Sequence, residues 1–587
     1  MTFSATLGNQ VGLAERVRQT LPRRGLAIAG LAIAITVFLM RFLFLQDKPP
    51  AEVFVDYFHT GEWFLAEINT RAGVAFDTLT IHGGKDILPA MAARLIFGDE
   101  LYVGAMPLVY QFGITLPAAL LLIYTMWRMA PSAQMAMFLI PVAAWLSVAV
   151  NYRDAGIILL LAAYFGLLAR ADRPTVLRLA LFSAAATFSI LYSMNRGAVT
   201  IVSVTAITVW LGYADRRYLT IIPMVGAMWI AAGLWHPLFT PSHVIKNILF
   251  LVETSHIHRF HVGEFEEPWL HTWTKAFLLV TGLAALGLNI VRYRAGPRNR
   301  RDVASLILLA CLMAGYFELS TDRRFEWYFP FGTLMLFPTL AHWWSLKARQ
   351  ETPVTRTEAF LFAIVIVAAF GTLRVIFLFD TWFWYEWTVL TCGLLVFAVM
   401  GILDVRERSV TLRAGALALA GFGMLVILTP TVNAFSNALR NGKIAEVLDP
   451  AGIVEVSTNP DEHLTWVVDA IKDADPACLF DASNSGLINA YTQLPTCTRF
   501  SMLFYAIDRH EDEMIAALKK ADPPIIVYWS AHWWTTQDMF PISDRFERLD
   551  QVMTELYPVE VCSEIFCVRY KSHAQIGLDD GLPADWL

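Results

Sequence analysis

Between residues 25 and 432 the chain is a succession of apolar runs, most long enough to cross a hydrocarbon core as a helix, which takes about 20 residues. That succession leaves room for one architecture, a bundle of membrane-spanning helices. The rest of the composition agrees. Hydrophobic residues make up 56% of the chain and charged residues 16%, against roughly 25% charged in an ordinary soluble domain. The net charge of -6 is small and unclustered, which gives no reason to expect a nucleic-acid partner. The first run, Gly25 to Gln46, exceeds a signal-peptide core and no small-residue cleavage site follows it, so it reads as a retained span.

Spans are expected at 25–46, 102–127, 134–150, 155–169, 178–193, 198–213, 219–236, 274–292, 303–318, 328–346, 358–379, 385–403 and 414–432, about thirteen in all. Basic residues gather at alternate junctions: Arg16, Arg18, Arg23 and Arg24, then Arg128, then Arg170, Arg173 and Arg178, then Arg216 and Arg217, and so on to Arg406, Arg408 and Arg413. The positive-inside rule assigns these junctions, and the N-terminus, to the cytoplasm. An odd number of spans then places the C-terminal segment outside.

That segment, 433–587, is polar enough to be a soluble domain. Ala477–Ala482 and Pro524–Trp529 read as short buried strands, Leu464–Ala474 and Glu511–Ala521 as amphipathic helices, and Val559–Tyr570 as a hairpin. The expected fold class is therefore an all-α polytopic membrane protein, residues 1–432, carrying a small C-terminal α/β extracytoplasmic domain. Four of the six cysteines fall in that domain: Cys478, Cys497, Cys562 and Cys567. An even number in an exported domain points to two disulfides. The simplest of the three pairings is 478–497 with 562–567; the alternative is four buried thiols.

The first outer loop, 47–101, is long for a connection, and long loops in compact proteins are usually functional. It opens with Asp56, His59 and Glu62 at a spacing of three, which on a helix makes one polar edge opposite Trp63, Phe64, Leu65 and Ile68. Such a helix is expected to lie in the membrane interface, rings down and carboxylates toward water. Asp77, His82 and Lys85 follow and return to the same surface. A partly buried carboxylate there suits general-base catalysis on a hydroxyl. His59 and a second carboxylate could hold it in place or complete a divalent-metal site. The plainer alternative is a solvated interfacial helix.

A hydrophobic first span, an acidic start to the first outer loop, an interfacial helix, many further spans and an outer C-terminal domain resemble the GT-C superfamily of integral-membrane glycosyltransferases. The Asp56-x-x-His59-x-Gly61-Glu62 stretch followed by Ile81-His82-Gly83 is similar to bacterial members. The resemblance implies an inner-membrane enzyme with a periplasmic C-terminal domain. It would move a sugar from a polyprenyl-phosphate donor to a glycan, lipid or protein acceptor of the cell envelope, with inversion. Asp56 is the first candidate for the base and Glu62 the second, and the resemblance implies Asp154, in the second outer loop, as an aid to the base or a metal. The close acidic pair usual in the first loop is absent here, which bears on whether Mg or Mn is required. A local Arg153–Asp154 helix cap is the alternative for Asp154.

Elsewhere on the outer side, Arg196 sits in the tight turn Asn195-Arg196-Gly197. Arg323 and Arg324, between two spans and beside aromatics, are the candidates for the donor phosphate, because guanidinium groups bind phosphate with paired donors. An anionic-lipid contact would use the same residues. Loop 236–273 carries six histidines, from His236 and His243 to His256, His258, His261 and His271. It reads as a flexible acceptor-gating loop or, less simply, a zinc site. Asp481, Ser483 and Asn484 follow a strand end and suit either sugar hydroxyls or a helix cap. No G-x-G-x-x-G after a strand and no Walker A sequence is present, in keeping with a lipid-linked donor. Competing readings are an O-antigen polymerase or ligase, using the Arg and His loops, and a transporter or flippase. The latter should show broken mid-membrane helices and inverted repeats, whereas these spans are largely apolar.

Overall fold

The computed structural model describes residues 57–74, 79, 83–129, 155–168, 174–254, 462–483, 485–530 and 542–572, with isolated helical positions at 25, 28, 29, 32, 436 and 440. The spans expected at 134–150, 274–292, 303–318, 328–346, 358–379, 385–403 and 414–432 lie outside the described residues, as does 25–46 apart from those isolated positions.

Among its described residues the first outer loop holds two helices. Helix α1, Tyr57–Arg71, ends where Gly73 takes φ 78°, the left-handed conformation that closes helices and that glycine adopts without steric cost. Helix α2, Gly84–Leu108, starts with Asp86 in its first turn, where the helix dipole favours a carboxylate. It bends at Gly98, whose φ of 80° and ψ of 174° only glycine tolerates well. A π-helical stretch, Val109–Thr115, leads into α3, Leu116–Met129. Then come α4, Ala155–Ala163, extended by π-helical Tyr164–Leu168; α5, Val176–Tyr192; α6, Met194–Ala214; and, after a 3-10 turn at Arg216–Thr220, α7, Ile221–Trp235. Helix α4 packs between α3 and α5, and α5 packs against α6 and α7.

These helices fall where the apolar runs at 102–127, 155–169, 178–193, 198–213 and 219–236 predict them. Among the described residues one helix, Arg216–Trp235, is long and apolar enough to cross a membrane by itself, and only 11% of its apolar stretch is buried in the protein. The apolar stretches of its neighbours are shorter, but they likewise turn Val176, Leu181, Val202 and Val209 outward. The α5–α6 hairpin is tight enough that a Cβ on Gly197 would come within 2.3 Å of the Ile190 carbonyl oxygen.

The two ends of the bundle differ. The stretch with Gly156 beside Ser189 and Tyr192, the turn at Ser193 and the fold-back at Pro237–Phe239 share one end. Arg178, Arg216 and Arg217 lie at the opposite ends of α5 and α6. Arg128 joins them, because Thr125 of α3 abuts Gly166 at the far end of α4.

Helix α8, Pro241–Thr254, follows the fold-back. The first part of loop 236–273 is thus an ordered helix with buried His243, Asn247, Phe250 and Leu251, rather than a flexible segment, because its apolar face finds a core to enter. The remainder of that loop lies outside the described residues.

The C-terminal unit contains α9, Glu462–Ala474; β1, Phe480–Asp481; α10, Leu487–Thr492; α11, Glu511–Ala521; β2, Ile525–Trp529; α12, Ile542–Arg545; α13, Glu547–Leu556; β3, Val559–Cys562; and β4, Phe566–Tyr570. The sheet order is β1-β2-β4-β3, with β1 parallel to β2 and the other pairs antiparallel. Alternation along β2 divides its side chains. Ile525 and Val527 join α9 and α10 in one core, and Ile526 and Tyr528 join α11 and α13 in the other.

Both cores take in residues from far upstream: Phe64, Ile68, Ala90 and Tyr102 on one side, Leu65, Leu79, Phe250 and Leu251 on the other. Phe64, Leu65 and Ile68 of α1 are therefore sheathed in protein, which corrects the expectation that they lie in the lipid interface: a folded partner offers the same burial as lipid and adds fixed packing. The side chain of Trp63 lies outside the described residues. At the kink in α2 it is Leu95, Ile96 and Phe97 that are left exposed.

Disulfides join Cys478 to Cys497 and Cys562 to Cys567. The first ties β1's lead-in to the segment after α10 across a separation of 19 residues. Loop-closure entropy makes that bond worth about 3 kcal/mol to the unit. Non-reducing peptide mapping should recover both pairs. Replacing Cys478 and Cys497 by serine should lower the unfolding transition of this unit by roughly that amount.

Candidate functional site

The backbone of His59 and Glu62 lies in the first two turns of α1. Their side chains, and all of Asp56, Asp77, His82, Asp154, Arg323 and Arg324, lie outside the described residues. Three adjacent positions locate the elements that carry them. Tyr57 begins α1, Gly83 caps α2 and Ala155 begins α4.

Gly83 and Gly84 pack against the Leu191 carbonyl, Met194 and Phe239. A Cβ on Gly84 would stand 2.7 Å from that carbonyl. Leu238 fills the space between Ala66 of α1 and Ile87 of α2. The first loop, the α5–α6 turn and the fold-back after α7 thus meet at one end of the bundle, the end away from Arg178, Arg216 and Arg217.

Two cations are enclosed there. Lys85 is 0% exposed and its Nζ lies 3.2 Å from Asp86 Oδ1, itself buried. Tyr110 donates a hydrogen bond to the Lys85 carbonyl. Lys85 is accordingly inside the protein and not on an open surface. Arg196 is 2% exposed, in the first turn of α6, and its carbonyl accepts from the Thr200 hydroxyl at 3.1 Å. Thr200 in turn lies 3.0 Å from Ser189 of α5. Buried charges are costly unless compensated, and for Lys85 the buried Asp86 carboxylate supplies compensation.

The C-terminal unit covers this end through α1, α2 and α8. Gln493, the C-cap of α10, accepts from Arg94 Nη2 at 2.9 Å and from Arg71, and donates to the Tyr102 hydroxyl at 2.7 Å. Arg94 also pairs with Glu67 of α1 at 2.8 Å and with Asp99, and stacks 4.2 Å over the Tyr102 ring. Asn69 Oδ1 accepts from the Thr496 backbone N–H at 3.0 Å. Leu79 forms a parallel bridge to Phe500. From α8, Glu253 meets Arg509 and, at 3.0 Å, His510 Nε2.

Asp481 is enclosed and accepts from the Ser483 N–H at 2.7 Å, the Ser483 hydroxyl and the Gly486 N–H. Burial pushes its carboxyl above the usual range, and these bonds pull it back. Its oxygens are used in building the turn into α10, which answers the choice between sugar contact and local capping in favour of the turn. Among the described residues, one cluster has metal-like spacing, Glu560, Cys562 and Cys567. Both thiols are consumed by the disulfide, so it offers no ligand set.

Arg94, Asp86 and Gln493 were not singled out from the sequence. Arg94 lies in an apolar helical stretch that reads as the approach to a span, and Gln493 in a loop with no motif. Only the Glu67–Arg94 opposition of charge was there to be noticed, and it joins residues 27 positions apart.

No family model matches the chain, and no curated protein matches it. Among solved structures it is similar to the crystal structure of ArnT from Cupriavidus metallidurans bound to undecaprenyl phosphate. The identity is 12% and the TM-score 0.32, over 94% of this chain and 99% of that one. At that distance function has to be argued from this chain's own residues.

His236 and His243 are both buried beside this end. His236 Nδ1 accepts from the Leu238 N–H at 3.3 Å. Burial, with Lys246 and His236 adding like charge, holds His243 down at about 4, against about 6.5 in an unfolded chain. The unfolded state therefore takes the proton first. Stability present above about pH 6.5 should be lost as pH falls toward 4, by no more than about 3 kcal/mol. Thermal unfolding in detergent across that range should show the decline in the native protein, and His243→Phe should flatten it.

Proposed function

We propose that this chain is a GT-C-type membrane glycosyltransferase of the bacterial inner membrane. In this reading it moves a sugar from a polyprenyl-phosphate donor to a glycan, lipid or protein acceptor on the outer face. The N-terminus is cytoplasmic, and residues 433–587 form the periplasmic domain. The observation that carries the proposal is the convergence described above. Helices α1, which carries His59 and Glu62, and α2, which carries Lys85, meet the α5–α6 turn, which leads to Arg196, at one end of an apolar bundle, the end at which α4 begins. The basic junctions Arg128, Arg178, Arg216 and Arg217 lie at the other end, as the positive-inside rule asks of an outward-facing site. Outward-facing Ile222, Ile230 and Leu234 on α7 suit contact with lipid chains.

In the proposed reaction Asp56 removes the proton from an acceptor hydroxyl as its oxygen attacks the anomeric carbon of the donor sugar. The bond from that carbon to the phosphate oxygen breaks, and the polyprenyl phosphate leaves with the electron pair. Arg323 and Arg324 bind the departing phosphate, and the enclosed Arg196, with the Lys85–Asp86 pair, lines the substrate side of this end. Inversion follows from a single displacement. His59 and Glu62 orient the base or, with Asp56, hold a divalent ion such as Mg or Mn, whose contribution would be to stabilise the leaving phosphate. His82 stands next to the Gly83 cap and is assigned to the sugar.

The test is transfer by purified protein in detergent, offered a panel of polyprenyl-phosphate sugars and membrane extract as acceptor. Asp56→Asn should reduce transfer by about 10³-fold, the usual worth of a general base, with the unfolding transition unchanged. Retained transfer in that variant would move the base elsewhere. Substrate movement across vesicles without bond formation would replace the enzyme reading with a transporter.

A further inference from the structure

The C-terminal unit has no assigned part in the reaction, and the network at α10 supplies one. Gln493 holds φ 61° and ψ 22°, a left-handed conformation that costs a non-glycine residue about 1 kcal/mol or more. Its backbone N–H is tied to the Asn489 carbonyl at 2.7 Å, and Asn489 in turn donates to the Leu494 carbonyl at 2.9 Å. The cap therefore points one amide into the groove between α1 and α2. That amide touches both arginines, Arg71 at the end of α1 and Arg94 in α2, and the Tyr102 hydroxyl. Arg94 carries the contact on to Glu67 of α1, two turns beyond His59. Phe64, on the same helix, meets the Tyr102 ring edge-on at 5.4 Å.

We infer that Gln493 is a positioning residue for the first-loop helix: through Arg94 and Tyr102 it fixes the rotation and depth of α1, and hence of the acidic residues at its start. This rests on the proposed function for its catalytic meaning, but not for the coupling itself. An amide is suited to the task. Its oxygen accepts from two guanidinium groups while its nitrogen donates to the phenol, so one side chain satisfies charges on both helices. Hydrogen bonds to charged groups are worth more than neutral ones. The C-terminal unit is in this view part of the active face, not a lid that swings over it.

Two variants of the full chain separate the possibilities. Gln493→Gly keeps the left-handed cap without strain and removes the amide. Gln493→Glu keeps the acceptor for both arginines and lets the tyrosine hydroxyl turn to donate; of the native bonds it gives up the one from the amide nitrogen to the Ala490 carbonyl of its own helix, which reaches neither α1 nor α2. Hydrogen exchange of the amides of Phe64–Arg71 should quicken about tenfold in the glycine variant, the loss of one charge-assisted bond. It should stay near native in the glutamate variant, with α5 and α7 unchanged in both. In the transfer assay the glycine variant should lose kcat with KM for the donor held, and the glutamate variant should recover it. Unchanged exchange over 64–71, a general rise across the C-terminal unit, or native kcat despite quickened exchange would each overturn the inference. Absence of transfer in every protein, native included, would remove the glycosyltransferase reading. The exchange result would still decide whether Gln493 holds α1.

Discussion

The structure depends on where one short helix buries its apolar side chains. Phe64, Leu65 and Ile68 of α1 enter the two cores on either face of a sheet formed some 400 residues later. Full burial of side chains of this size is worth about 2 kcal/mol each, enough to fix an element that carries few backbone contacts of its own to the bundle. Because Phe64 and Ile68 go to one core and Leu65 to the other, the helix is held against rotation as well as displacement. The backbone of His59 and Glu62 inherits that fixation.

Around this anchor the polar groups follow a consistent logic. Arg94 and Glu67 are set at the seam between α1 and α2, where the C-terminal unit closes over them. Lys85 is enclosed beside Asp86, in the first turn of α2. Arg196 is enclosed at the α5–α6 turn. Close approach makes this possible. Gly84 and Gly197 each leave room for a carbonyl that a Cβ would displace, so backbone segments meet with no side chain between them and the cations above are shielded from water.

How far the sequence was legible depends on whether the signal was local. The strands at 480–481 and 525–529 and the hairpin at 559–570 follow from short β-rich runs bounded by turns. The helices at 462–474 and 511–521 follow from their period. The cysteine pairing follows from spacing, since each pair is near in sequence. The α1 helix was legible too, but its environment was not. An amphipathic face looks the same whether lipid or protein covers it, and the covering residues here are Leu464, Phe480 and Phe500. Loop 236–273 reads as a flexible gating loop, yet Phe250 and Leu251 anchor its first part to the same core.

The sequence by itself determined an apolar helical chain, the alternation of its basic junctions, the small α/β unit and its two disulfides. Each of these is written in hydrophobic period or in residue spacing, which act over a few residues. The tertiary structure alone decided that the C-terminal unit closes over the first outer loop, that Lys85 and Arg196 are enclosed, and that Gln493 bridges Arg71, Arg94 and Tyr102. The Gln493 contacts join positions about 400 residues apart, and no local pattern records a partner at that distance. They arise only once two separately patterned surfaces find more apolar area to bury together than either can bury alone.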